Sequence, residues 1–192
     1  MKPSRFLYIV IFSIFLICFS CKKDPVLPNP EELITTLIYT LTPTGSQGSV
    51  VVMTFRDLDG DGGNAPLITY SGPGGDSLVT GVTYTGVIEL LNESASPITN
   101  ITEEIEAEDE DHQFFYTING MHATIEYSDQ DDSGFPVGLN TTMTAAGPGN
   151  GNIKIILRHL PDKGAAGVSD GLIQNAGGET DIEVTFPQII VP

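Results

Sequence analysis

From Leu33 onward the chain is written in short apolar runs rich in β-branched residues, separated by turns of Gly, Asn, Asp and Thr. The runs 33–43 (LITTLIYTLTP) and 49–55 (SVVVMTF) flank Thr44-Gly45-Ser46-Gln47-Gly48, the spacing a hairpin needs. Six more follow at 83–91 (TYTGVIELL), 112–118 (HQFFYTI), 123–129 (ATIEYSD), 138–145 (GLNTTMTA), 152–160 (NIKIILRHL) and 180–191 (TDIEVTFPQIIV). Within them the period is two: Ile153, Ile155 and Leu157 alternate with Asn152, Lys154 and Arg158, and Ile182, Val184 and Phe186 alternate with Glu183 and Thr185. Only Ile156 breaks the alternation.

About eight strands at this spacing predict an all-β fold, an antiparallel immunoglobulin-like β-sandwich spanning 32–192 as a single domain. The chain has no Trp and no Cys within that span, so the marks that fix topology in antibody domains are absent. Two stretches do not fit a strand. Residues 100–112 (NITEEIEAEDEDH) read as a helical turn or two, a solvated loop, or an acidic approach to the next strand. Residues 162–179 (DKGAAGVSDGLIQNAGGE) read as a long loop, a length that is usually functional or mobile.

The first 20 residues have a different character. Lys2 and Arg5 precede 14 residues that are apolar apart from Ser13, too short a run to span a ~30 Å hydrocarbon core. A basic start, a short apolar segment and a small residue before the cut make 1–20 a signal peptide, helical while it is present. Ser20-Cys21 stands where a bacterial lipoprotein is cleaved and acylated, and "CFSC" resembles the lipobox of Gram-negative lipoproteins. That resemblance implies a lipid on Cys21, a membrane anchor, and a mature chain without a disulfide. "KKD" after the cysteine is similar to the charged tags that send some lipoproteins to the cell surface, which favours the outer face of the outer membrane over its periplasmic face. Residues 21–31, rich in Pro, read as an extended tether.

Charge narrows the partners. The whole chain carries 8 basic against 25 acidic residues; removing 1–20 leaves 6 against 25 and a net charge of −19. Such a surface repels nucleic acid and anionic lipid headgroups and draws cations, so no nucleic-acid partner is expected.

Two acidic turns are candidates for a cation. In "RDLDGDGG", Asp57, Asp59 and Asp61 with Gly62 fill the first half of an EF-hand loop, where alternate oxygens precede a sharp glycine turn. The twelfth position, which should be a bidentate Glu, is Ile68, so this is no EF-hand. A second copy, "SDQDDSG", sets Asp129, Asp131 and Ser133 at the same spacing before Gly134. Asp and Gly are also what tight turns demand. Calcium held by one or both loops and plain acidic turns both remain open.

A zinc-type site is the alternative: His112, at the end of the acidic run 103–111, with neighbouring carboxylates and either His159 or His122 brought to it by the fold. Enzymatic signatures are weak. Gly167-Val168-Ser169-Asp170-Gly171 matches the letters of a nucleophile elbow, but no His follows Ser169 and no α/β alternation surrounds it. The expectation is a protein without catalytic activity.

Beyond the lipobox, "IYTLTPTG", "FRDLDGDGG", "ITEEIE", "DHQFF", "GVSDG" and "GGETDIEVTF" resemble a group of small acidic outer-membrane lipoproteins of Gram-negative bacteria. Members are sometimes labelled a type 1 periplasmic binding fold, a two-lobed α/β architecture about twice this length. The group is thought to neighbour TonB-dependent receptors. The resemblance implies an accessory role in nutrient or metal uptake beside an outer-membrane receptor.

Overall fold

The computed structural model describes residues 33–60 and 64–192. The signal peptide, Cys21, the tether and Asp61 lie outside the described residues.

The described chain is mostly β, in two antiparallel sheets. The strands are β1 (Thr36–Pro43), β2 (Val51–Arg56), β3 (Leu67–Ser71), β4 (Thr83–Asn92), β5 (Thr99–Asn100), β6 (His112–Asn119), β7 (His122–Tyr127), β8 (Asn140–Gly147), β9 (Gly149–His159) and β10 (Glu179–Val191). The larger sheet runs β3-β2-β1-β4-β8-β7, with β5 beside β4; the smaller runs β10-β9-β6. All eight apolar runs of the sequence form strands. The count is ten because β3, an exposed edge strand after Pro66, and the two-residue β5 were hidden by their polar setting.

Alternation decides what each sheet buries. On β1 the residues Leu37, Tyr39 and Leu41 are fully buried, and on β4 Tyr84, Ile88 and Leu90. From the other sheet Phe114, Ile153, Ile155, Leu157, Val184 and Phe186 meet them in one core. Each such side chain removed from water is worth about 1.5–3 kcal/mol, so this layer carries most of the driving force. Tyr39 keeps its hydroxyl satisfied at depth by a 2.7 Å bond with Thr141 Oγ1.

The two stretches that were not strands are both built into the fold. Residues Thr102–Ala107 form a short helix α1, followed by a 3-10 turn over Asp109–Asp111. Ile101 and Ile105, four apart and fully buried, press this acidic segment onto the core while Glu103, Glu106, Glu108, Glu110 and Asp111 stay exposed. The long loop 162–179 lies against the outer face of the smaller sheet. There Phe115, Val168 and Ala176 make a second buried cluster, with Ile156, Ala165 and Ile173 packed on it. Ile156 breaks the alternation of β9 because that sheet is covered on both faces. Among the described residues no helix is long and apolar enough to cross a membrane.

Candidate metal centre

At one end of the sandwich the inward-facing rows of several strands finish in ligand-type side chains. On β6 the inward row is His112, Phe114, Tyr116, and on β9 it is Ile153, Ile155, Leu157, His159. His112 and His159 are direct cross-strand partners, the first residue of one strand opposite the last of the other. Partners on one face lie close enough to touch. Their imidazoles stack with centroids 4.8 Å apart and an 11° angle between planes.

The third member comes from β10. A register shift between Thr180 and Ile182 puts an extra residue, Asp181, into that strand. A bulge re-aims a side chain: Asp181 turns inward next to the buried Ile182, where simple alternation would have sent it outward with Glu183. Its Oδ2 lies 3.8 Å from His112 Nε2. One ligand atom each from His112, His159 and Asp181 falls within 4.8 Å of the others.

The tautomer of His112 is fixed by its other nitrogen. Nδ1 lies 3.0 Å from the Glu108 carbonyl, an acceptor only, so Nδ1 carries the hydrogen. His112 Nε2 is the ring nitrogen that faces Asp181. A backbone carbonyl behind a ligating imidazole is the arrangement that orients histidine in metal sites. The ends of β6 and β9 are pinned here as well: Leu160, left-handed at φ 52°, donates its N–H to the Asp111 carbonyl. His112 is fully buried and the Asp181 side chain is only 9% exposed, so a cation here would be largely desolvated.

Asp181 also faces a cleft of about 500 Å³ between the sheets, lined by Leu33, Phe55, Asp57, Asp59, Ile182 and Glu183 among others. Two residues of the first acidic loop, Asp57 and Asp59, therefore share this cleft with Asp181. Asp59 accepts hydrogen bonds from the side chain and backbone N–H of Asn64, and the Asn64 amide holds its carboxyl below the usual range. The Asp57 N–H donates to the Thr35 carbonyl, which fixes the backbone at the loop's start.

The second acidic loop is arranged differently. Asp129 uses both oxygens on backbone N–H groups, Gly138 at 2.7 Å and Asn140 at 2.7 Å. Asp131 Oδ1 accepts from the N–H of Ser133 and of Phe135, and its Oδ2 accepts from Lys163 Nζ at 2.8 Å. Ser133 Oγ donates to Glu110 at 2.6 Å. The cation at the Asp131 carboxylate is thus the buried Lys163 ammonium, which also donates to the Asp109 carbonyl. Burial works to raise the Asp131 carboxyl, but Lys163 and the two N–H donors outweigh it and hold the group below its usual range.

The structure joins His112 with His159, leaves His122 apart on β7, and takes the carboxylate from β10 instead of the acidic run. Asp181 was missed because nothing in "GETDIEV" marks a bulge; Lys163 was missed because it stands in a glycine-rich loop with no local partner. Ser169 sits on a three-residue 3-10 turn, with its hydroxyl donating to the Lys163 carbonyl, in a setting unlike a strand-to-helix elbow. No protein-family model, curated protein or solved structure matches this chain.

Proposed function

We propose that this protein is a non-enzymatic, lipid-anchored module of the outer membrane that captures a transition-metal cation of the zinc class at His112, His159 and Asp181. The observation that carries the reading is the convergence of two imidazoles and a carboxylate within 4.8 Å from three different strands. Imidazole nitrogen suits zinc and its first-row neighbours, whereas calcium takes oxygen. Zinc–ligand bonds of 2.0–2.1 Å place tetrahedral ligands about 3.4 Å apart, so binding draws the three side chains inward by small rotations. The acidic surface, net −19 after removal of 1–20, raises the local cation concentration at the cleft.

Cys21 would hold the module at the membrane through its lipid, on the cell surface, where a captured ion passes to an outer-membrane receptor of the TonB-dependent kind. The strand order supports the immunoglobulin-like description. With β1, β4, β8 and β7 as one sheet and β6, β9 and β10 as the other, the chain follows the ABED and CFG order of a constant-type domain. The β2-β3 hairpin then extends the larger sheet beyond its first strand. Calcium is the second reading, confined to the first loop, where Asp57 and Asp59 flank the cleft.

The deciding experiment is calorimetric titration of the metal-stripped chain, in detergent, with zinc and separately with calcium. Zinc binding that His159→Ala abolishes supports the histidine site. Calcium binding that His159→Ala leaves intact would transfer the function to the first loop, and binding of neither ion would remove the cation reading.

A further inference from the structure

We infer that Asp57, from the opposite sheet, supplies the fourth ligand of this centre, so that the bound metal staples the two sheets at the open end of the sandwich. The inference rests on the His112–His159–Asp181 reading and adds a residue that the three-ligand cluster lacks.

Strand direction points Asp57 at the site. Val51 and Met53 are buried and Phe55 packs on the core, so the inward row of β2 reads 51, 53, 55 and continues to 57 just past the strand end. Arg56, of the other parity, turns outward to Glu93. The Asp57 N–H held by Thr35 keeps the extended direction for that one further residue. Its side chain thus leaves the larger sheet on the face that looks toward β10, and Asp57 and Asp181 line the same cleft from its two sides.

The acids of the cleft differ in how they are held, and the Asp57 side chain bonds that of Asp59. Asp59 is engaged by Asn64, and Glu183 binds Lys154 on the outer face of the smaller sheet. Of the Asp57 carboxylate, which lies against Asp59, the Oδ1 atom is buried without a hydrogen-bond partner. A buried carboxylate oxygen without a donor is costly, and a metal ion would remove that cost. Chemically the four form an N2O2 set, which suits a tetrahedral divalent ion.

The test uses cobalt(II) as a spectroscopic stand-in for zinc, added to the metal-stripped full chain in detergent and to Asp57→Asn, Asp59→Asn and His159→Ala. Expected are intense tetrahedral d–d bands in the parent and in Asp59→Asn. In Asp57→Asn the bands should collapse toward those of a higher coordination number, and zinc affinity in a chelator competition should fall at least about 100-fold. Circular dichroism of the metal-free Asp57→Asn chain is expected to match the parent, which separates ligand loss from misfolding. Parent-like spectra and affinity in Asp57→Asn, with binding lost in His159→Ala, would overturn the staple and leave the three-residue site standing. No cobalt or zinc binding by the parent would overturn both.

Discussion

Lys163 and Asp131, 32 residues apart in sequence, form an ion pair with Nζ 2.8 Å from Oδ2 and both side chains buried. The pair locks the start of the long loop 162–179 to the second acidic loop, and through the Asp109 carbonyl to the turn before β6. Removing one partner leaves the other charge buried and uncompensated. Asp131→Asn or Lys163→Met alone should destabilise the fold by about 3–5 kcal/mol in urea unfolding, and the double variant by much less than the sum. Additive losses would show that the two groups act independently.

The same pair sets an acid limit. The native Asp131 carboxyl lies below its ordinary value, by the balance of Lys163 and backbone donors over burial. A carboxyl depressed in the native state contributes stability that is complete above its unfolded value, near 3.9, and is lost as pH falls through the native one. Stability of the parent should therefore drop steeply below about pH 4, and Asp131→Asn should show a shallower slope there. Identical slopes in the two proteins would assign the acid loss to other carboxylates.

Those two residues also mark where sequence reasoning reaches and where it stops. The eight apolar runs were legible because alternation is a local property, and each of them is a strand. Asp131 and His112 stood out by residue type. Their partners did not, because Lys163 and Asp181 acquire meaning only through register: the first by a loop folded back over the outer face of the smaller sheet, the second by a bulge of one residue. His159 was named as a partner of His112 on chemistry alone, and their pairing follows from the antiparallel register of β6 on β9. Ile156, the one misfit in the alternation, was the visible trace of that covered outer face.

The core tolerates no added volume at Gly86. A Cβ there would stand 2.3 Å from Thr141 Oγ1 and 2.5 Å from Tyr39 Oη, two atoms that bond each other across β1, β4 and β8. Gly86→Ala should cost about 1–3 kcal/mol through displacement of the Tyr39 ring. Tyr39→Phe should cost about 1–2 kcal/mol by leaving the Thr141 hydroxyl without its partner. If the tyrosine is what the alanine displaces, the double variant will be less destabilised than the two losses combined; full additivity would show that Gly86 acts through the backbone.

The covering loop ought to behave as a unit separable from the sandwich. Its hold on the smaller sheet is the small cluster around Phe115, Val168 and Ala176, together with Gln113 Nε2 donating to the Val168 carbonyl at 2.9 Å. By contrast, β9 and β10 are joined by a ladder from Glu179 to Val191 and packed on the main core. Phe115→Ala removes the largest member of the cluster on the side away from that core, at a cost of about 3–5 kcal/mol to the loop's closed state. Hydrogen exchange should then quicken at the amides that close the loop on itself, Asp162 to Ala176 and Leu172 to Gly167, while the β9–β10 amides keep their protection. Equal acceleration in the loop and the sheet would instead make the loop part of one cooperative fold.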